Sequence, residues 1–327
     1  MKEAMGSYLA HALATSTQIS YRTGFKCFCD FLVNYNITIN PPPGDEETLM
    51  YFATHCANVL KLSHACIKTY ICAIRYHCIL RGYNSVLIEQ NYVPQRLYCL
   101  LRGIKKKQSV GTKIRLPITG SLLKRICQLT RTGVFGPYND MLFITACIVA
   151  YFGFLRCGEF TSKNRQFDPA SNLCLGDIQF EYENNSPCKF HLRLKASKTD
   201  PFRKGVSIPF FSNNSSICPV KALHRFIGVR VRINSDPLSP LFLLNGNMPL
   251  TRNDFSHMLN KVLTRLNVDI TQYAPHSFRI GAATSAAEAN VEGHIIKVLG
   301  RWSSQCFQNY IHTPQSLLAS AQRKMAP

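Results

Sequence analysis

One apolar run limits what this chain can fold into. Residues 141–155 carry no charged side chain and lead directly into Arg156 and Glu159. The run is shorter than the roughly 20 residues that a helix needs to cross a bilayer, so we expect no membrane segment. It predicts instead a buried helix over residues 141–160, apolar on most of its faces. An arginine that emerges from a buried helix needs a partner, and Glu159 is placed to provide one.

The first part of the chain has the apolar spacing of helices. Tyr21, Phe25 and Phe28 recur at helical intervals. The Pro-Pro-Pro-Gly segment at 41–44 interrupts the chain. Further helices are predicted after the acidic residues at 45–47, from near Ser63, and over residues 93–107. The last of these helices ends in a cationic edge that consists of Arg102, Lys105, Lys106 and Lys107.

The polar stretch around Gly111 predicts a linker between two domains. We therefore expect a helical domain over residues 1–110 and a second domain over residues 111–327. In the second domain, apolar residues alternate with polar ones at 190–194 and again at 206–210, which predicts a β-hairpin. Helices are predicted over 118 onward, 219–230 and 253–266, after Pro275, and in a final segment that starts near residue 303.

The balance of charge favours a polyanionic partner. The chain has 38 Lys and Arg residues against 18 Asp and Glu residues, and an excess of this kind is typical of proteins that bind nucleic acid. Its 14 cysteines include no Cys-x-x-Cys pair, and the N-terminus has no apolar leader. These features favour reduced thiols inside the cell over disulfides or a zinc site. We expect no metal and no cofactor.

Four short segments carry the side chains that a metal-free attack on a phosphodiester needs. They are Gly-Phe-Leu-Arg-Cys-Gly-Glu at 153–159, Lys-Thr-Asp at 198–200, His-Ser-Phe-Arg at 276–279, and Gly-Arg-Trp at 300–302 followed by Tyr310. His276 and Arg279 are three residues apart on a predicted helix and therefore share one face. Arginine suits phosphate because its planar fork binds two oxygens and keeps its charge.

The order and context of these segments resemble the tyrosine recombinases, the phage-integrase type of site-specific DNA recombinase. The segments at 276–284 and 300–304 are most similar to recombinases of eukaryotic mobile elements, the DIRS-like retrotransposons and the Cryptons. The resemblance covers nearly the whole chain and implies a mainly α fold with a small β-sheet. An N-terminal SAM-like helical core-binding domain and an α+β catalytic domain would form a C-shaped clamp around duplex DNA.

The resemblance also implies the roles of the site residues. Tyr310 would be the nucleophile that forms a 3′-phosphotyrosyl bond, Lys198 the general acid, and Glu159 the support of Arg156. The implied catalytic set is Arg156, Lys198, His276, Arg279, Trp302 and Tyr310.

Two of these assignments have alternatives. Many bacterial members carry His or Trp directly after the glycine, where this chain has Arg301, so either Arg301 or Trp302 is the sixth ligand. We otherwise assign Arg301 to the DNA backbone, together with the cationic edge at 102–107. Lys195 and Lys204 compete with Lys198 for the role of general acid.

The expected function is site-specific recombination or integration of DNA for a mobile element. The resemblance implies a homo-tetramer on paired double-stranded sites, and we expect it in the nucleus. The alternative is a domesticated DNA-binding protein that no longer recombines.

Overall fold

The chain divides into two compact units, Met1–Thr112 and Lys113–Pro327. The computed structural model describes residues 1–38, 45–83, 87, 94–109, 115–196, 200, 204–313, 318–319, 322–323 and 325. The predicted boundary between 110 and 111 lies outside these residues.

The first unit is helical in the part that the structure describes. Its helices are α1 (Lys2–His11), α2 (Thr15–Asn34), α3 (Glu46–Asn58), α4 (His64–Arg81) and α5 (Gln95–Gln108). Asp45 caps α3 by accepting from the Thr48 N–H at 2.8 Å, and Ser63 caps α4. Phe28, Phe31 and Phe52 form the aromatic centre of the core. The sequence did not predict α1, whose apolar residues are not gathered on one face of the helix.

The second unit packs helices around one long buried helix. These are α6 (Gly120–Thr130), α7 (Pro137–Phe152), α8 (Cys157–Phe160), α9 (Pro219–Arg230), α10 (Arg252–Arg265), α11 (Ser277–Glu288) and α12 (Gly293–Leu299). Residues on most faces of α7 are buried, as its apolar composition predicts. The last predicted helix is a 3₁₀ helix, Gln305–Tyr310, whose first turn is capped by Ser304.

The predicted helix over 141–160 is wrong in its extent. Helix α7 ends at Phe152, and Phe154 turns the chain with a φ of +49°. The Leu155 N–H donates to the Ala150 carbonyl at 2.9 Å, which satisfies a helix-end acceptor and closes the turn. Arg156 is extended and caps the short α8. Hydrophobic content alone does not reveal such a turn, because its residues are as buried as those of the helix.

A small antiparallel sheet and a second short pair of strands complete this unit. Strands β1 (Ile178–Glu183), β2 (Ser186–Leu194) and β3 (Val206–Phe211) pair in that order, and β4 (Leu243–Leu244) pairs with β5 (Met248–Pro249). The predicted hairpin corresponds to β2 and β3, with Phe190 opposite Phe210 and their rings stacked at 4.3 Å. Strand β1 was not predicted, although Ile178, Phe180 and Tyr182 alternate with polar residues along it.

Three observations concern the cysteines, possible metal ligands and the lengths of the helices. All fourteen cysteines are free. Among the described residues, no three His, Cys, Asp or Glu side chains lie close enough to hold a metal ion. No helix in the described part of the chain is long and apolar enough to cross a membrane.

Candidate active site

Five of the six predicted catalytic residues meet in the second unit. Their elements are the α7–α8 turn, the start of α11, the residues after α12, and the end of the 3₁₀ helix. These elements bring together Arg156, His276, Arg279, Trp302 and Tyr310. The sixth, Lys198, lies outside the described residues.

Arg156 is held by the carboxylate three residues further along the chain. Its Nη1 donates to Glu159 Oε1 at 2.8 Å, and its backbone N–H donates to Glu159 Oε2 at 2.9 Å. The Glu159 side chain is only 4% exposed. A buried, doubly bonded carboxylate fixes the direction of the guanidinium, which supports the predicted partnership of these two residues.

Arg279 lies beneath the site with no exposed surface. Its Nη1 donates to the Phe154 carbonyl, and its Nη2 donates to the Gly300 carbonyl at 2.5 Å. Burial and the positive charges of Arg156 and Arg301 lower the pKa of Arg279 to about 10. Arg279 remains charged at neutral pH, because this value is still far above 7, and it binds the two segments that carry Arg156 and Trp302.

Two aromatic rings lie over the Arg279 guanidinium, and a third ring contacts one of them. Its Cζ lies 4.2 Å from the centre of the Trp302 ring and 5.7 Å from that of Tyr310. The Tyr310 ring lies 5.0 Å from Trp302 and 5.2 Å from His276. A cation over aromatic faces is stabilised by the ring quadrupole. Tyr310 and Trp302 therefore cover the arginine, with their rings tilted by 54° to each other.

Trp302 is placed by a glycine. An added Cβ at Gly300 would lie 1.6 Å from the Trp302 ring, so the ring can pack here only against a residue without a side chain. The indole is 7% exposed, and its Nε1 is buried without a hydrogen-bond partner among the described residues. A buried donor without an acceptor is costly, so this N–H is available to an oxygen that enters the site.

His276 stands at the N-terminal end of α11 with its surface open to solvent. Partial desolvation of the ring, together with the charges of Arg279, Arg156 and Arg252, lowers the pKa of His276. The imidazole is therefore neutral at physiological pH and can accept a proton. Arg252 was not predicted as a site residue, because it lies in the first turn of α10 and comes near His276 only in the folded unit.

Arg301 faces inward, although we assigned it to the DNA backbone. Its Nη2 pairs with Glu159 Oε2 at 2.9 Å, and its Nη1 donates to the Gly153 carbonyl at 2.8 Å. Only 14% of its side chain is exposed. The pKa of Arg301 is lowered, mainly because the side chain is buried. Of the two alternatives for the sixth ligand, Trp302 is the residue that contacts Tyr310.

Lys195 and Lys204, the alternatives to Lys198 as general acid, differ in their exposure and in their hydrogen bonds. Lys195 is paired with Asp177 at 2.7 Å and also donates to the Pro169 carbonyl at 2.8 Å. Burial alone would lower the pKa of Lys195, but the hydrogen bonds to Asp177 and Cys174 raise it, which disfavours release of a proton. Lys204 is exposed, and its backbone N–H is held by Asp200 at 3.1 Å.

The cationic edge of α5 is exposed in the first unit. Arg102, Lys105, Lys106 and Lys107 all face solvent. The first three line a cavity of about 480 Å³ together with His64 and Lys68 of α4.

Gln108 fixes the two helices that form this cavity. Its side chain accepts from the His64 N–H at 2.6 Å and donates to the Leu62 carbonyl at 2.9 Å. Desolvation is the main cause that lowers the pKa of His64, and the positive charges of Lys105 and Lys68 lower it further. The sequence did not indicate that Lys68 belongs with the cationic edge, because the two are distant along the chain.

Solved structures with a similar fold include site-specific recombinases and integrases. The XerH site-specific recombinase, bound to a palindromic difH substrate in a post-cleavage complex, is 13% identical, with a TM-score of 0.64 over 92% of this chain and 78% of that one. The Tn1549 transposon integrase with transposon right end DNA is 13% identical, with a TM-score of 0.61 over 97% and 95%. A lambda integrase dimer bound to a COC′ core site is 12% identical, with a TM-score of 0.57 over 95% and 75%.

These similarities confirm the predicted fold, which is mainly helical with a small sheet and resembles that of these recombinases and integrases. No protein-family model and no curated protein matches the chain.

Proposed function

We propose that this chain is a site-specific recombinase that cleaves and rejoins duplex DNA through a 3′-phosphotyrosyl intermediate. The observation that carries the proposal is the convergence on Tyr310 of Trp302 at 5.0 Å, His276 at 5.2 Å and Arg279 at 5.7 Å. These residues lie beside an Arg156 held by Glu159. A phenol, cations, a neutral imidazole and an indole donor are the groups that attack on a phosphodiester requires.

In the proposed reaction, the Tyr310 hydroxyl attacks the scissile phosphorus. The Oη–P bond forms, the bond from phosphorus to the 5′ oxygen breaks, and the phenolic proton passes to the neutral His276. Lys198 supplies a proton to the departing 5′ oxygen. The phosphotyrosyl bond retains the phosphodiester linkage, so the attack of a 5′ hydroxyl from a second strand reverses these steps and reseals the DNA.

The charges around Tyr310 suit this chemistry. Arg156, Arg279 and Arg301 face the single carboxylate of Glu159, so positive charge remains to stabilise the anionic transition state. In a site with little water, such fixed charges interact more strongly than they would in solution. The unpartnered Trp302 N–H would add a neutral donor to a non-bridging oxygen.

Double-stranded DNA is the proposed partner. The net charge of +20 and the exposed cations of α5 support it, as do the DNA complexes in which proteins of this fold were solved. We further propose that residues 1–110 form a core-binding domain, that a homo-tetramer acts on paired sites, and that the chain integrates or excises a mobile element of the DIRS or Crypton type in the nucleus.

Trapping on suicide duplexes tests the proposal. The wild-type chain is incubated with nicked duplexes that carry the ends of its own element, and covalent adducts are resolved on a denaturing gel. Tyr310→Phe keeps the aromatic ring and removes the attacking oxygen, so this variant should bind duplex like the wild type and form no adduct. An adduct with Tyr310→Phe would place the nucleophile elsewhere. No adduct with the wild type would favour the domesticated DNA-binding protein.

A further inference from the structure

We infer that Arg301 is a positioning residue that orients Arg156 and Arg279 and makes no contact with DNA. This inference rests on the proposed recombinase function, because it assigns how the two arginines of that site are held. Arg301 lies next to Trp302 in the chain, yet its guanidinium points away from the rings of Trp302 and Tyr310 and into the α7–α8 turn.

The contacts of Arg301 join two segments of the site. Its Nη2 pairs with Glu159 Oε2 at 2.9 Å, the same oxygen that accepts from the Arg156 N–H. Its Nη2 also lies 3.4 Å from the Phe154 carbonyl, which accepts from Arg279 as well. One guanidinium thus shares an acceptor with each of the two predicted phosphate ligands.

The backbone supports the same assignment. Arg301 has a φ of +57° and Phe154 a φ of +49°, a region that residues other than glycine seldom adopt. The Arg301 Nη1 donates to the Gly153 carbonyl at 2.8 Å, directly before Phe154. Each strained residue is therefore held by the contacts of the Arg301 side chain, and shortening that side chain should release both.

Contact between Arg301 and a DNA phosphate does not fit this geometry. The side chain is 14% exposed, and its Nη2 is paired with the Glu159 carboxylate, whereas the Nη atoms of Arg279 donate only to neutral carbonyls. The Arg301 Nε is buried without a hydrogen-bond partner among the described residues, so that donor does not face solvent either.

The experiment uses the full chain and the fluorescence of its single tryptophan, Trp302. The variants are Arg301→Ala and Arg301→Lys, which keeps the charge but lacks the planar fork. The matched control is Arg165→Ala. Arg165 also pairs with a carboxylate, Asp254, at 2.8 Å and donates to a carbonyl, but outside the site. Three quantities are measured: Trp302 emission and quenching without DNA, the salt dependence of duplex affinity, and the cleavage rate at saturating duplex.

A positioning role predicts a specific combination of results. Arg301→Ala should shift Trp302 emission to longer wavelength and leave the slope of log affinity against log salt unchanged. It should also lower the saturated cleavage rate by roughly tenfold to a hundredfold, the equivalent of one or two hydrogen bonds to charged groups. Arg301→Lys should recover part of that rate, and Arg165→Ala should match the wild type in all three measurements.

Other outcomes overturn the inference. A slope reduced by about one, with unchanged emission, would mean that Arg301 binds a phosphate directly. If Arg301→Ala does not fold, the Trp302 emission and the cleavage rate of Arg301→Lys decide: wild-type values of both refute positioning. Failure of the wild type to cleave any duplex would refute the proposed function, whereas the emission and salt measurements would still decide the role of Arg301.

Discussion

Replacing Glu159 by glutamine should destabilise the second unit far more than the same change at an exposed carboxylate. Glu159 accepts three hydrogen bonds: Oε1 from Arg156 Nη1 at 2.8 Å, and Oε2 from the Arg156 N–H and Arg301 Nη2, both at 2.9 Å. A glutamine has one acceptor oxygen, so its NH₂ group must face at least one of these donors. The substitution also removes the negative charge that three buried or partly buried arginines share.

The magnitude follows from these contacts. A hydrogen bond to a charged group contributes about 1.5–3 kcal/mol, and breaking a buried ion pair by removing one partner costs about 3–5 kcal/mol. Because glutamine keeps part of the hydrogen bonding, we expect the lower end, about 3 kcal/mol. For a unit of about 200 residues, each kcal/mol lowers the Tm by roughly 2–4 °C, so the Tm should fall by roughly 6–12 °C.

Thermal unfolding followed by Trp302 emission measures this change, because the single tryptophan lies in the second unit. Glu181→Gln is the control. Glu181 is bonded to Lys189 at 3.0 Å and to His191 at 2.9 Å but is half exposed, and pairs of this kind contribute little in water. Equal Tm values for Glu159→Gln and Glu181→Gln would refute the reasoning that the buried carboxylate organises the site.

Three further predictions concern pH, salt and packing. The pKa of His276 is lowered in the folded unit, so the unfolded chain binds the proton more readily. The Tm should therefore fall as the pH drops below about 6.5, and His276→Gln should weaken that dependence; equal dependence in both proteins would contradict it. Lys105→Ala should reduce the salt slope of duplex affinity by about one, and an unchanged slope would remove Lys105 from the DNA interface. Gly281→Ala would place a Cβ 1.8 Å from the Ile118 carbonyl oxygen and should cost about 1–3 kcal/mol in denaturant unfolding. Gly228→Ala on α9, where the Cβ meets no atom within 4 Å, should be neutral or slightly stabilising, and equal effects of the two would refute the packing argument.

Much of the fold could be predicted because local signals agree with it. Apolar spacing after the acidic residues at 45–47 and from near Ser63 indicated α3 and α4, and strict alternation indicated β2 and β3. Strand β1 has the same alternation, with Ile178, Phe180 and Tyr182 separated by polar residues, and its Phe180 ring lies 5.6 Å from that of Phe190. The sequence therefore contained the signal for this strand, and the prediction missed it. The turn at Phe154 was missed because its conformation depends on contacts with residues more than a hundred positions away.

The candidate site was also predicted only in part. Residue types and their order indicated Arg156, His276, Arg279, Trp302 and Tyr310 as a set, which the structure brings together. The direction of each side chain could not be predicted. Arg301 and Trp302 are adjacent and both can donate hydrogen bonds, yet the positive φ of Arg301 turns its side chain inward and leaves the indole beside Tyr310.

The complete burial of Arg279 has a consequence for substrate selection. A guanidinium with no exposed surface cannot bind a phosphate until Trp302 or Tyr310 moves off it. Separating a cation from an aromatic face costs about 0.5–2 kcal/mol, so the open conformer is a minor population and every ligand binds with an affinity reduced by that fraction. A long duplex can offset this cost through contacts elsewhere, whereas a free phosphate or a mononucleotide has none to offer. In the proposed recombinase, this cost would disfavour small phosphates relative to duplex DNA, and the movement that exposes Arg279 would also free Tyr310 to react.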